Sequence, residues 1–287
     1  KSLYSYNLST KSMQKLADLP GLFINTLVID DAGKAYLTTS GKGEIYTCNV
    51  TDSGSLAGAP VLITHTSEEV ITAACLDQNG RLYIGTASSG KVYRLDKGAL
   101  TLLGDLGQAH ITALHYSTYD GRLYVGTAER GIVVSFGDKL DMRSEYETGE
   151  HIVTGVAKDK SGNLYITTAG QGKFMRITPR GAVDVVALSE AFYTLFYDKR
   201  QDRVYSGDAE GDITRIEVDK LTLQPYFLPV CHTEQEAVLA ISADDSGHLF
   251  VGTSNIAQVI ALSIAPTAKP TYTSTVFDAQ KKSNWSR

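Results

Sequence analysis

One short motif constrains this chain more than any other: an aromatic residue followed two positions later by glycine or threonine, with apolar residues around it. Its copies are Ala35-Tyr36-Leu37-Thr38-Thr39, Leu82-Tyr83-Ile84-Gly85-Thr86, Leu123-Tyr124-Val125-Gly126-Thr127, Leu164-Tyr165-Ile166-Thr167-Thr168, Val204-Tyr205-Ser206-Gly207-Asp208 and Leu249-Phe250-Val251-Gly252-Thr253. The marker aromatics stand 47, 41, 41, 40 and 45 residues apart. A period in this range means that each unit is one supersecondary element, stacked on its neighbours to bury a shared core.

The residues around each marker decide which element. An apolar run precedes it (Ile71 to Leu76, Ile111 to Tyr116, Val153 to Ala157, Tyr193 to Tyr197, Val238 to Ala243), and a turn with Asp, Asn or Gly separates the two. Gly80, Gly121, Gly162 and Gly247 fall where a tight turn needs positive φ. A second Gly turn then leads to a third short strand, such as Lys91 to Leu95 or Lys173 to Ile177. A more polar fourth follows, as in Leu100 to Leu106 and Val183 to Leu188. Apolar residues at helical spacing are almost absent. The fold predicted is all-β: a β-propeller of six recognisable four-stranded blades.

An N-terminal strand pair is left over. Ser2-Leu3-Tyr4-Ser5-Tyr6 lines up with Lys91-Val92-Tyr93-Arg94-Leu95, and Leu16-Ala17-Asp18-Leu19 with Leu103-Gly104-Asp105-Leu106. Residue 1 is therefore expected to fall in the middle of a blade, through processing or truncation. Either the pair closes a six-bladed ring, or it belongs to a seventh blade whose inner strands lie upstream. The domain reading is 1–264 for the propeller and 265–287 for a linker with Pro266 and Pro270 and then a strand, Thr271 to Ala279. That strand either closes the ring or opens a following β-sandwich module.

The pattern Asp77-x-x-Gly80-x-Leu82-Tyr83-x-Gly85-Thr86-x-x-x-Gly90-x-Val92-Tyr93 resembles bacterial propellers of the broad NHL, SMP-30 and two-component-regulator type, over about residues 2–264. The stretch Ser274-Thr275-Val276-Phe277-Asp278-Ala279 with Asn284-Trp285 is similar to a segment that follows such propellers in large exported bacterial proteins. The resemblance implies a module of a larger exported protein, periplasmic or extracellular.

Composition closes several function classes. A net charge of −5 with no basic run argues against nucleic acid as partner. No apolar run approaches the ~18 residues of a membrane span. Cys48, Cys75 and Cys231 are odd in number and scattered over three repeats, which fits neither a disulfide framework nor a zinc site. Cys75 reads as a small apolar filler. No Gly-x-Ser-x-Gly, His-Glu-x-x-His or phosphate-binding glycine loop occurs, so no cofactor is predicted.

The candidate ligand site is the channel mouth, where residues just ahead of each innermost strand converge. These are Glu69, His110, His151, Glu190 and Glu236. Imidazole nitrogen and carboxylate oxygen together suit a transition metal, so metal binding is left open for this rim. The SMP-30 resemblance implies Glu and Asn or Asp ligands lining the channel. The strand-start positions here are Asn25, Thr72, Thr112, Thr154, Tyr193 and Leu239, of which only Asn25 fits. Lys91, Arg94, Lys173, Arg176 and Arg215 on third strands read as solvent-facing edge charges. The acidic doublets Asp30-Asp31 and Asp244-Asp245 read as turn caps. A complete repeat with no catalytic motif predicts a non-catalytic scaffold presenting a face to a protein or glycan partner. The alternatives are a channel-mouth, metal-dependent hydrolase or lyase using His110 and His151, and an architectural subunit.

Overall fold

The computed structural model describes residues 2–7, 10, 12–20, 23–139, 141–188, 190–254 and 258–262. Every described element is a β-strand. A hairpin of β1 (Ser2–Asn7) and β2 (Ser12–Asp18) comes first. Next is a four-stranded antiparallel sheet of β3 (Ile24–Ile29), β4 (Lys34–Thr39), β5 (Glu44–Asn49) and β6 (Val61–His65). The same up-and-down order repeats in β7 (Ile71–Leu76), β8 (Leu82–Thr86), β9 (Lys91–Asp96) and β10 (Ala99–Asp105). It repeats again in β11 (His110–Ser117), β12 (Arg122–Ala128), β13 (Ile132–Phe136) and β14 (Met142–Glu147), and in β15 (Ile152–Lys158), β16 (Leu164–Ala169), β17 (Lys173–Ile177) and β18 (Val183–Ala187). A single pair, Ala128 with Ile152, joins those two into one larger sheet. Then come β19 (Phe192–Asp198), β20 (Arg203–Asp208), β21 (Asp212–Val218) and β22 (Pro225–His232), and last the three strands β23 (Val238–Ala243), β24 (Leu249–Thr253) and β25 (Val259–Leu262). The proposed closing strand 271–279 lies outside the described residues.

The first strands neighbour one another in the order β3, β7, β11, β15, β19, β23. This is the inner wall of a propeller-like arrangement. Its cores lie between sheets: Tyr36 and Ile45 pack with Ile71, Ile84 and Tyr93, and Tyr205 and Ile213 pack with Val238, Ile241 and Val251. The marker glycine is what lets sheets approach this closely. A Cβ at Gly85 would lie 2.2 Å from Ile111 Cγ2, at Gly126 2.5 Å from Val153 Cγ1, and at Gly207 2.3 Å from Val238 Cγ1. Each glycine is a socket for a branched side chain of the next inner strand, at interior packing density.

Every inner strand carries a bulge near its start, at the second or third residue: Asn25, Thr72, Thr112, Thr154, Tyr193 and Leu239 are skipped in the pairing. Four of these side chains tie one inner strand to the next. Asn25 Nδ2 donates to the Ile71 carbonyl at 2.8 Å, Thr72 Oγ1 to Ile111 at 2.5 Å, Thr112 Oγ1 to Val153 at 2.6 Å and Thr154 Oγ1 to Phe192 at 2.5 Å. The three threonines that depart from the SMP-30 pattern are thus structural fasteners, and so is Asn25, the one position that fits it.

At the far end, inner strands close in aspartate-capped turns. Asp30 Oδ1 accepts from the amides of Ala32 and Lys34, and Asp244 Oδ1 from those of Ser246 and His248, as expected for turn caps. Gly80, Gly121, Gly162 and Gly247 all have positive φ. Burial pushes the Cys75 thiol up to about 12, an inert packing group as predicted.

The expectation of solvent-facing charges on third strands needs correction. Lys91 reaches Glu68 at 2.5 Å and Lys173 reaches Glu150 at 2.5 Å. Arg176 is buried and paired with Asp184, and Arg215 pairs with Glu217. A third strand lies between the second and the fourth, so its charges meet partners rather than water: Glu68 and Glu150 in the loops before inner strands, Asp184 on β18 and Glu217 on β21 itself.

Candidate functional site

The entry rim is formed where loops arrive at the inner strands and where second strands turn into third ones. Its polar residues are set by register. Val70 bridges Ser40, His110 bridges Ala87, and Ile152 pairs with Ala128, so these three are equivalent positions. Glu69, His151, Glu190 and Glu236 each stand two residues before the bulge-adjacent apolar residue (Ile71, Val153, Phe192, Val238), whereas His110 stands only one before Ile111. Four of the five predicted rim residues therefore share a register position. His110 does not: Ala109 holds that place in its sheet, and successive residues of a strand face opposite ways.

All five are exposed. Among the described residues no group of three or more His, Cys, Asp or Glu is placed to hold a metal ion. The donor set does not fit a transition metal, and the rim is read without one. Further around the rim, the Glu69 carbonyl accepts the amides of Gly41 and Gly43 at 2.8 and 2.9 Å, a backbone role rather than a chemical one.

His151 has the most defined surroundings. Its Nδ1 lies 3.2 Å from the carbonyl oxygen of Glu129, a partner that can only accept. Nδ1 must then carry a proton, so in the neutral ring the lone pair is on Nε2. The preceding residue, Glu150, is pinned by Lys173, whose ammonium holds the carboxyl below its ordinary range. Glu129 itself adopts φ 94°, and Ser88 at the matching turn beside His110 adopts φ 74°. The same place is Gly41 and Gly170 in two other sheets. Left-handed backbone at non-glycine residues costs about 1 kcal/mol or more, and such strain collects where a site has to be held.

Next to His151 around the rim, Glu190 lines a cavity of about 360 Å³ between the sheet β15 to β18 and the sheet β19 to β22. Its floor is apolar, from Val186, Leu188, Phe192, Ile213 and Phe227, and Asp208 and Asp212 complete the mouth. Asp208 accepts the amides of Glu210 and Asp212, and Asp212 holds His232 Nδ1 at 2.8 Å. Sequence reasoning missed Glu68, Glu129, Glu150 and Asp208. The recurring Lys91 and Lys173 were the available signal for two of them.

No protein-family model matches the sequence, and no curated protein matches it. Solved structures do resemble the fold. A catalytically inactive histidine-to-alanine form of virginiamycin B lyase from Staphylococcus aureus, with quinupristin, is 13% identical, has a TM-score of 0.68, and the match covers 88% of this chain and 84% of that one. A candidate gluconolactonase is 12% identical at TM-score 0.58, over 85% and 91%. A chain of a mitotic checkpoint complex is 14% identical at TM-score 0.72, over 91% and 81%. At these identities the likeness establishes a propeller fold. It also corrects the prediction of a non-catalytic scaffold, because that prediction rested on the lack of a contiguous catalytic motif. Structures of this fold include a lyase and a candidate lactonase. In such a ring, site residues come from separate inner strands and leave no contiguous motif to find.

Proposed function

We propose that this chain is a propeller enzyme of lyase or hydrolase type, acting at the entry rim with His151 as general base. The observation that carries the reading is the bond from Nδ1 to the Glu129 carbonyl on an exposed histidine, which in the neutral ring leaves the Nε2 lone pair as the proton acceptor; the apolar cavity opens at Glu190, the same register position in the next sheet. That cavity suits an aromatic or alkyl part of a substrate, and its carboxylates suit a cationic one.

Two reactions fit such a base. In elimination, Nε2 takes a proton from a carbon beside a carbonyl, its electron pair forms a C=C bond, and an ester C–O bond breaks to release a carboxylate. In hydrolysis, Nε2 takes a proton from water as the oxygen attacks an ester carbonyl; the tetrahedral adduct then collapses, the acyl C–O bond breaks, and Nε2 returns the proton to the leaving alkoxide. Neither needs a co-reactant beyond water, and neither step is routed through a metal. The lyase among the similar folds, inactive without one histidine, supports the first reaction, and the lactonase candidate supports the second.

The test is to incubate the chain with quinupristin and with a panel of simple lactones and weigh the products. Elimination opens a ring without changing its mass, whereas hydrolysis adds one water. His151→Ala should lower the rate by about 100-fold or more while thermal unfolding stays in place. Unchanged turnover in that variant would remove His151 from the proposal. The sequence resemblance supports, as parts of the same reading, an NHL or SMP-30 type of repeat, a propeller over 1–264, and an exported location.

A further inference from the structure

One joint of the ring differs from the others. Gly252 is the marker glycine of β24, yet a Cβ there would meet only Ala240 Cβ, at 3.6 Å, among the described residues. Its counterparts Gly85, Gly126 and Gly207 would clash with the branched side chain of the next inner strand. The matching knob, Ile24 of β3, is not in that socket; it packs with Leu3, Leu19 and Leu37. No contact like those between the other inner strands joins β23 to β3.

The flanking faces are correspondingly open. Leu27 holds the register position of Val156 and Ile241 and is 48% exposed, against 4% and 8%. On the other side, Leu239 is 56% and Val259 62% exposed. The inner-wall hydrogen bonds do not reach this joint: the last runs from Thr154 to Phe192, and neither Tyr193 nor Leu239 continues the series among the described residues.

The hairpin β1 and β2 marks what sits in this wedge. Leu3 and Leu19 pack on Ala35, Leu37, Tyr46 and Cys48 of β4 and β5. This is how Val92, Leu103 and Leu106, of β9, β10 and the loop after them, pack on Leu123, Val125, Val134 and Phe136. The hairpin thus holds third-strand and fourth-strand places, and β25 already holds the third place beside β24. Third strands number seven among the described residues (β1, β5, β9, β13, β17, β21, β25) and inner pairs six. Among the described residues the other edge of β1 meets no strand, since β1 pairs there only with β2.

The geometry points to a docking wedge for one further β-hairpin of the repeat type. Its second strand would add to the free edge of β1, and its first would stand between β23 and β3 with an Ile or Val seated on Gly252. This is strand addition with specificity from side-chain sockets, continuous with the joints already described. The occupant is a two-stranded segment like Ile71 to Thr86. Residues 263–287 contain no Leu-Tyr-x-Gly-Thr copy to supply its second strand. Such a hairpin would also carry one more residue to the rim register of Glu69 and His151.

The test grafts a second copy of residues 68–90 in place of Lys1, so that it runs directly into β1. The graft should raise the unfolding temperature by about 5 °C or more, and Gly252→Val should be silent in the 287-residue chain but destabilising in the grafted one. A graft that leaves or lowers the unfolding temperature overturns the proposal. So does a destabilising Gly252→Val in the ungrafted chain, which would mean that residues 271–279 or a second copy already cover the socket. Independently of the graft, a thiol reagent should modify Leu27→Cys rapidly in the native 287-residue chain; protection there would overturn an open wedge.

Discussion

The two ends of the inner strands are built from the same residue types and use them oppositely. At the turn end, aspartates are consumed by the backbone: Asp77 is buried, accepts the amides of Asn79 and Arg81, pairs with the Arg81 guanidinium and receives the Tyr83 hydroxyl at 3.3 Å. Asp159 does the same for the amide of Asn163 and the Tyr165 hydroxyl. At the rim, Glu69, Glu190 and Glu236 stay exposed. The histidines divide in the same way. His115 is packed edge-on against Tyr197, and its Nε2 has no hydrogen-bond partner, while His151 projects at the rim with one ring nitrogen fixed. Chemistry needs a polar group whose partners are incomplete; Asp77 and Asp159 have given theirs to the turns, and at the far end the second members of the acidic doublets, Asp31 and Asp245, with Lys199 and Arg200, stay exposed around a cavity.

The sharpest contrast comes from removing one carboxylate at the far end. Asp77→Ala leaves two amides of a buried turn without their acceptor and the Arg81 guanidinium with only the exposed Asp138 at 2.9 Å, so a loss of about 3 kcal/mol in chemical denaturation is expected. His151→Ala at the rim should leave that midpoint nearly unmoved. A small effect of Asp77→Ala would erase the distinction between the two ends.

Next in size is a pH effect at His115. Burial pushes its pKa down to about 4, so the folded protein keeps it neutral where the unfolded chain protonates it near 6.5. The folded state binds fewer protons, so this contribution is complete above pH 6.5 and fades as pH falls towards 4, by on the order of 2 kcal/mol. In His115→Phe the slope of stability against pH should flatten over that window. A slope equal to that of the unmodified chain would count against a buried neutral imidazole.

Much of this fold is legible in the amino-acid order alone. Period, alternation and turn glycines suffice for strands and their order, because each is a local consequence of sterics and burial. The marker glycine is visible as a pattern, but its cause, the Ile111 side chain seated on Gly85, crosses from one repeat to the next. The place of the rim is legible and its register is not. His110 and His151 look equivalent along the sequence, yet the loop before β11 delivers His110 one step later, and a single step turns a side chain to the other face. Thr72, Thr112 and Thr154 invite comparison with metal ligands although their hydroxyls are fasteners, since a partner some 40 residues away leaves no local trace. Glu150 escapes sequence reasoning for the same reason: its partner Lys173 is on another strand.

The smallest expected effect probes backbone strain at the rim. Turn-end positions with positive φ are mostly glycine, with Lys97, Asp202 and Leu223 as exceptions, and the rim places Ser88 and Glu129 in that region. If the left-handed Glu129 is retained only because its carbonyl must face His151, glycine should do the same job with less strain. Glu129→Gly should then stabilise the fold by about 1 kcal/mol and leave turnover within a few-fold, since the acceptor is backbone. Gain of stability with loss of turnover would instead assign the Glu129 carboxylate a direct part beside His151. No gain in stability would show that φ 94° is not strained there, and the turn beside His151 would hold no stored strain.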